Sequence, residues 1–315
     1  MAGGAATREA RDVTVWAPAV LATTIAMTCA ATLLAIGAQD PMFSSVTSSV
    51  VVDVSVRQGD QPAFDLRPED FRLEDNGVVQ TLDTASLEAL PLDVTLILDT
   101  SDSINDAMFA SLRRATAAVA DHLQPTDRAS LIVFDQHIRQ VTGFEPGREG
   151  VRTEVLHAPR GLTALLDAVV ASLVTRIEPT RRRMAIVITD GGDVTSFTDE
   201  RDLVDVAARS GVAVFAVAIT DGTTRAPVKA MNPALFEALT STTGGALTVL
   251  QRDQDLSRTF IGAVDDFRTS YVLRYTPRDT WPVGWHDLSV KITKRGRYTV
   301  RARKGYFDAF VPTAR

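Results

Sequence analysis

Residues 92–103 read LDVTLILDTSDS, an apolar run that ends in a carboxylate and two spaced hydroxyls. Leu92, Val94, Leu96, Ile97 and Leu98 make the run too apolar for a surface strand, which predicts the buried central strand of a parallel sheet. Such a strand delivers Asp99 to its own carboxyl end, and Ser101 and Ser103 follow two and four residues later. In open α/β sheets this edge, next to the switch in strand order, is where ligands bind. Clustered hard oxygen donors suit Mg²⁺, Mn²⁺ or Ca²⁺ rather than zinc. Taken alone, the pentad reads equally well as the lead-in to a helix over 107–123. In that reading Ser103 or Asn105 is the N-cap and Asp99 merely ends a strand.

Outward from this stretch, apolar strands alternate with helical patterns. Strands are expected at Ala129–Phe134, Met184–Thr189, Val212–Ile219 and Ala246–Leu250, and helices at 161–177, 199–210 and 233–240. An amphipathic helix follows around Leu256, Phe260, Ile261, Val264 and Phe267. The alternation implies an α/β fold with a doubly wound, mostly parallel sheet. Both flanks instead read as β. Val50–Val56 alternates, Asp75-Asn76-Gly77 is a hairpin turn, and Tyr271–Tyr275, His286–Ile292 and Tyr298–Ala302 alternate again. Neither set makes a stable sheet alone, so the flanking strands are expected to pair as a small accessory β domain. The expected divisions are 1–40 as leader, 46–88 as an amino-terminal β segment, 90–255 as the doubly wound domain, and 256–315 as the amphipathic helix and closing strands.

The chain has 315 residues, a formal net charge of −6 and a pI near 5.3, which gives no reason to expect nucleic acid as a partner. Arg181-Arg182-Arg183 is the only compact basic run, and it reads as a solvated lead-in to a strand. Val15–Ala38 carries no charge over 24 positions and follows Arg8 and Arg11. As a helix it would extend about 36 Å, against roughly 30 Å for a bilayer core. Its Ala and Thr content, Pro18 and the small residues Ala35, Gly37 and Ala38 also fit a cleavable signal. Cleaved or retained as a single-pass anchor, it places the remainder outside the cytoplasm, in the periplasm, the envelope or the medium. The single cysteine, Cys29, lies in this segment, so the exported part has neither thiol nor disulfide.

Two further loops carry oxygen donors. Arg160-Gly161-Leu162-Thr163-Ala164-Leu165 places Thr163 at the opening of a helix, and Ile186-Val187-Ile188-Thr189-Asp190-Gly191 ends a strand in Asp-Gly. With these three elements in order, the chain resembles the von Willebrand factor A-type domain with its metal-ion-dependent adhesion site. The matching positions are Asp99, Ser101 and Ser103, then Thr163, then Asp190. Its flanks, with DFRLEDNGVVQTL, YVLRYTP and RKGYF, are similar to those of bacterial exported proteins of this family. The resemblance implies a divalent cation, Mg²⁺ first and Mn²⁺ or Ca²⁺ as alternatives, held by Ser101, Ser103 and Thr163 or Asp190, with Asp99 acting through water. It also implies one open coordination position, filled by an Asp or Glu of a partner protein. Leu162 stands where the family often has glycine. Asp102 and Asp193 read as solvated loop carboxylates.

The function expected is an extracytoplasmic, metal-dependent protein-binding module for adhesion or assembly, not an enzyme. A structural scaffold with a vestigial site is the alternative, and a metal-dependent phosphohydrolase is a weaker one. Phosphohydrolases of the haloacid dehalogenase type need a second carboxylate where Ser101 stands. A serine nucleophile lacks its glycine-flanked elbow, and His122, His137, His157 and His286 read as surface or loop residues.

Overall fold

The computed structural model describes residues 49–308 apart from 89, 157–159, 175–177, 179, 191, 221–231, 252–253 and 281–282. The leader and Cys29 therefore lie outside the described residues, as does His157. Among the described residues no helix is long and apolar enough to cross a membrane.

The amino-terminal flank holds five strands, β1 (Val50–Gln58), β2 (Gln61–Pro62), β3 (Phe71–Asp75), β4 (Val78–Gln80) and β5 (Leu82–Ser86). Next come β6 (Leu92–Asp99), helix α1 (Asp106–His122), β7 (Arg128–Phe134), β8 (Ile138–Pro146) and α2 (Leu165–Leu173). The chain continues through β9 (Arg182–Thr189), α3 (Glu200–Ser210), β10 (Ala213–Thr220), α4 (Pro233–Thr243), β11 (Leu247–Gln251) and α5 (Leu256–Arg268). It closes with β12 (Tyr271–Tyr275), β13 (Gly284–Ile292), β14 (Thr299–Ala302) and β15 (Gly305–Asp308).

The central sheet has the order β11-β10-β9-β6-β7-β8 and is parallel except for β8 at one edge. Every residue of β6 is buried, because helices cover both faces. On one face Leu96 and Leu98 pack with Met108, Leu112 and Val119 of α1 and with Phe260 and Val264 of α5. Ile97 points the other way, among Leu165 and Val169 of α2, Leu203 of α3 and Leu239 of α4. The strand order reverses around β6, so the loops after β6 and β9 diverge and leave a crevice at their carboxyl ends.

Local chemistry explains where the helices begin and end. Asn105, not Ser103, caps α1, accepting from the Met108 amide at 2.9 Å. Asp199 caps α3, which Gly211 closes at φ 66°. Helix α2 begins at Leu165, four residues later than its apolar spacing suggests. The backbone before it is bound outward: Ala164 N donates to Asp135 O, and Thr163 O accepts from Val194 N and Thr195 N.

The flanking strands form two further sheets. One has the order β14-β1-β12-β5, with β2 paired to β1, and the other β15-β13-β3-β4. All their pairings are antiparallel, and β3 turns into β4 through Asn76 at φ 49° and Gly77 at φ 80°. Val52, Val54, Leu73, Tyr271 and Leu273 fill the core between them.

Three readings of charged groups need correction. Arg182 and Arg183 are buried rather than solvated. Arg182 donates to Asp53 Oδ1 at 2.6 Å and to Phe267 O at 2.7 Å, and its guanidinium lies over the Phe267 ring. His286 is not a surface histidine. It is buried against Asp75, with Nδ1 at 2.8 Å from Oδ1, and stacks on Tyr306. Asp193 is half-buried and accepts from Leu166 N at 3.2 Å and Ser196 Oγ at 2.6 Å, so it braces the first turn of α2.

Candidate metal centre

The crevice is built from the ends of β6 and β9. Asp99, the last residue of β6, is fully buried. Its Oδ1 accepts from Ser101 N at 2.9 Å and from Ser101 Oγ at 2.6 Å, while Oδ2 accepts from Thr189 Oγ1 at 2.8 Å. Ser101 Oγ lies 3.1 Å from Ser103 Oγ, and Ser103 Oγ donates to Asp190 Oδ1 at 2.6 Å. A continuous chain of oxygens thus runs Asp99, Ser101, Ser103, Asp190 and joins the loops after β6 and β9.

The loop before α2 is tied to the first by backbone. Arg160 N donates to Thr100 O at 2.8 Å, and Asp102 N to Gly161 O at 3.0 Å. Thr163 follows two residues later and is buried. Its hydroxyl makes no hydrogen bond among the described residues, unlike those of Ser101, Ser103 and Thr189. Thr189 is the residue the sequence reading passed over. Its signal was a hydroxyl at the last position of an otherwise apolar strand, beside the strand that ends in Asp99.

The electrostatics fit a cation. Burial pushes the Asp99 carboxyl above its usual value; hydrogen bonds from Ser101 and Thr189 oppose the shift, and the nearby Asp190 charge adds to it. No lysine or arginine pairs with Asp99 among the described residues. Two carboxylates and two hydroxyls within hydrogen-bond reach of one another are a hard-oxygen donor set. Among the described residues, the crevice included, no three His, Cys, Asp or Glu side chains gather as a metal site, so the donor set here depends on hydroxyls as well as carboxylates.

Beside the crevice, a cleft of about 340 Å³ is lined by Asp135, His137, Arg139, Arg160 and Gly161. Asp135 is buried and accepts from the His137 amide at 2.7 Å, which fixes the hairpin between β7 and β8.

Comparison with known proteins agrees with this architecture. The sequence model of the von Willebrand factor type A domain matches residues 93–251. The chain belongs to that family, whose domains commonly act as metal-dependent protein-interaction modules and often bind a divalent cation at the adhesion site. No curated protein matches the chain. Among solved structures, proximal thread matrix protein 1 of the mussel byssus, with a zinc-occupied adhesion-site motif, is 15% identical. That likeness has a TM-score of 0.50 and covers 62% of this chain and 50% of that one, and it speaks to the fold alone. A von Willebrand factor type A protein of Catenulispora acidiphila is 13% identical over 85% of this chain and 76% of its own, with a TM-score of 0.49. BatB of Bacteroides thetaiotaomicron is 16% identical over 56% of this chain and 98% of its own, with a TM-score of 0.44.

Proposed function

We propose that this chain is an extracytoplasmic protein-binding module in which Asp99, Ser101, Ser103, Thr163 and Asp190 hold a divalent cation that receives an Asp or Glu of a partner protein. The observation that carries the reading is the chain of oxygens from Asp99 to Asp190 across two loops. Mg²⁺ suits the set first, with Mn²⁺ or Ca²⁺ as alternatives, because every donor is a carboxylate or hydroxyl oxygen. When bound, the cation supplies a partly neutralised positive centre that a third carboxylate completes. The residues of the chain contribute position: Thr189 and Ser101 orient Asp99, and Ser103 holds Asp190 against the first loop.

Two features of the rim support an acidic partner. The chain carries a net charge of −6, which repels such a partner at long range, yet Arg160 places a positive charge beside the crevice, next to an Arg139 that pairs with Asp135 at 3.5 Å. Leu162 and Phe197, on the loops that frame α2, are exposed and supply apolar contact. The apolar leader and its basic flank support the extracytoplasmic assignment, and its retention would add a membrane anchor. The hydroxyls of Ser101 and Ser103 are tied to the carboxylates of Asp99 and Asp190 as parts of the proposed cation site, and no reaction is assigned.

The test is capture from the cell-envelope fraction with the exported part as bait, in Mg²⁺ and under chelation. Wild type is expected to recover partners that both EDTA and Asp190→Ala abolish. Recovery of the same proteins with the chelator present refutes metal-bridged recognition.

A further inference from the structure

The basic run Arg181-Arg182-Arg183 takes no part in the proposed metal site. It leads into β9 at the opposite, amino-terminal edge of the central sheet. There a cavity of about 290 Å³ is lined by five arginines, Arg181, Arg182, Arg183, Arg274 and Arg303, and by only two carboxylates, Asp53 and Glu178. Both carboxylates are already engaged, Asp53 with Arg182 at 2.6 Å and Glu178 with Arg128 at 3.0 Å. Arg181 and Arg274 have partners just outside the cavity, Asp93 at 2.6 Å and Glu88 at 2.9 Å.

Arg303 differs. Its Nε donates to Gly305 O at 2.6 Å and its Nη2 to Ala208 O at 3.2 Å, but no carboxylate pairs with it among the described residues. Capping the last turn of α3 through Ala208 is a structural role, yet it uses few of the five guanidinium N–H groups. Across the cavity, the Nη1 groups of Arg181, Arg274 and Arg303 donate no hydrogen bond among the described residues. Burial also pulls the Arg303 guanidinium below its ordinary value. A desolvated cation whose nearby carboxylate, Asp53, is already paired with Arg182 is costly, and planar arginine donors match tetrahedral oxyanions well.

We propose that this cavity binds a phosphate-type oxyanion, held by Arg303 together with the remaining donors of Arg181 and Arg274. Arg274 lies on β12, Arg303 between β14 and β15, and Arg181 in the lead-in of β9, so the anion would clamp the flank to the doubly wound domain. The site lies at the edge away from Asp99 and does not depend on a cation there.

The test uses the full chain in EDTA, so that metal binding plays no part. Sodium phosphate is titrated against sodium chloride of matched ionic strength while the melting temperature is followed. Phosphate should raise it saturably, chloride should not, and Arg303→Gln should weaken the response about tenfold or more. Thr242→Glu places a carboxylate on the cavity wall, so it should raise the melting temperature without phosphate and abolish the response. This second variant keeps the proposal testable where Arg303→Gln fails to fold. An increase in flotation when phosphatidic acid is added to phosphatidylcholine vesicles, lost in Arg303→Gln, would assign the phosphate to a lipid. A response to inorganic phosphate alone would assign it to a soluble anion. Absence of both responses, or a phosphate response unchanged in both variants, overturns the proposal.

Discussion

Asp99→Asn separates the burial cost of the central carboxylate from its use. Asp99 is fully buried and accepts three hydrogen bonds, two from Ser101 and one from Thr189. Asparagine keeps an oxygen towards Ser101 and turns its amide to Thr189, whose hydroxyl then accepts and must send its own proton to another acceptor. The bonds fall from the charged range to the neutral one, a loss of about 0.5–1 kcal/mol each and roughly 2 kcal/mol together. Removing a desolvated charge beside Asp190 returns several kcal/mol. The metal-free variant should therefore equal or exceed wild type, by up to ~2 kcal/mol. With the cation at a hundredfold excess over its dissociation constant, wild type gains ~2.7 kcal/mol, which is roughly 5–10 °C in melting temperature for a chain of this size. The variant should gain little. Thermal unfolding in EDTA and in Mg²⁺ should thus invert the order of the two proteins. An equal Mg²⁺ response in Asp99→Asn, or a wild type unmoved by both Mg²⁺ and Mn²⁺, refutes the reasoning.

Arg182→Met leaves Asp53 without its donor, removes one of the bonds to the Phe267 carbonyl, and should cost about 3–5 kcal/mol in urea-induced unfolding; a loss below ~1 kcal/mol would show the network to be ornamental. Glu88→Gln probes pH dependence. The hydrogen bond from Arg274 holds the Glu88 carboxyl below its usual value, so the pair's contribution, about 0.5–1 kcal/mol at this half-exposed position, is present above that usual value. It is lost as pH falls through the depressed value, so the gap between wild type and variant should close between about pH 7 and about pH 3, and a gap that widens on acidification contradicts the assignment. Gly245→Ala drives a Cβ into the Val214 carbonyl of β10 and should cost about 3 kcal/mol, read as a lowered melting temperature; an unchanged melting temperature would mean that the turn after α4 yields freely.

The strands of the central sheet were legible because their apolar runs are local facts. β6, β9 and β10 are buried on both faces and carry little else. Strand β8 was not legible. At the sheet edge Arg139, Gln140, Thr142 and Gly143 interrupt any alternation, and two register irregularities break its pairing with β7. The donors on the loops after β6 and β9 could be named from sequence, because each follows directly on a recognisable strand or turn. Thr189 could not, since its role depends on β9 lying beside β6. Buried charge failed for the same reason. Arg182 finds Asp53 across 129 positions and His286 finds Asp75 across 211, so a local window shows only a charge and assigns it to water.

The two edges of the central sheet have opposite chemistry, and the connectivity explains it. All strands of the parallel core start at one edge, so the flanking strands, which enter before β6 and leave after α5, meet the sheet where those strands begin. Their junction is made there by Arg182 with Asp53 and with the carbonyl end of α5. At the other edge the loops after β6 and β9 bring Asp99, Ser101, Ser103 and Asp190 together through hydrogen bonds. Packing of the accessory sheets and docking of a partner at the proposed metal site therefore do not compete for surface. Any coupling between the two edges must run through the central strands, of which β9 alone carries Arg182 at one end and Asp190 just beyond the other.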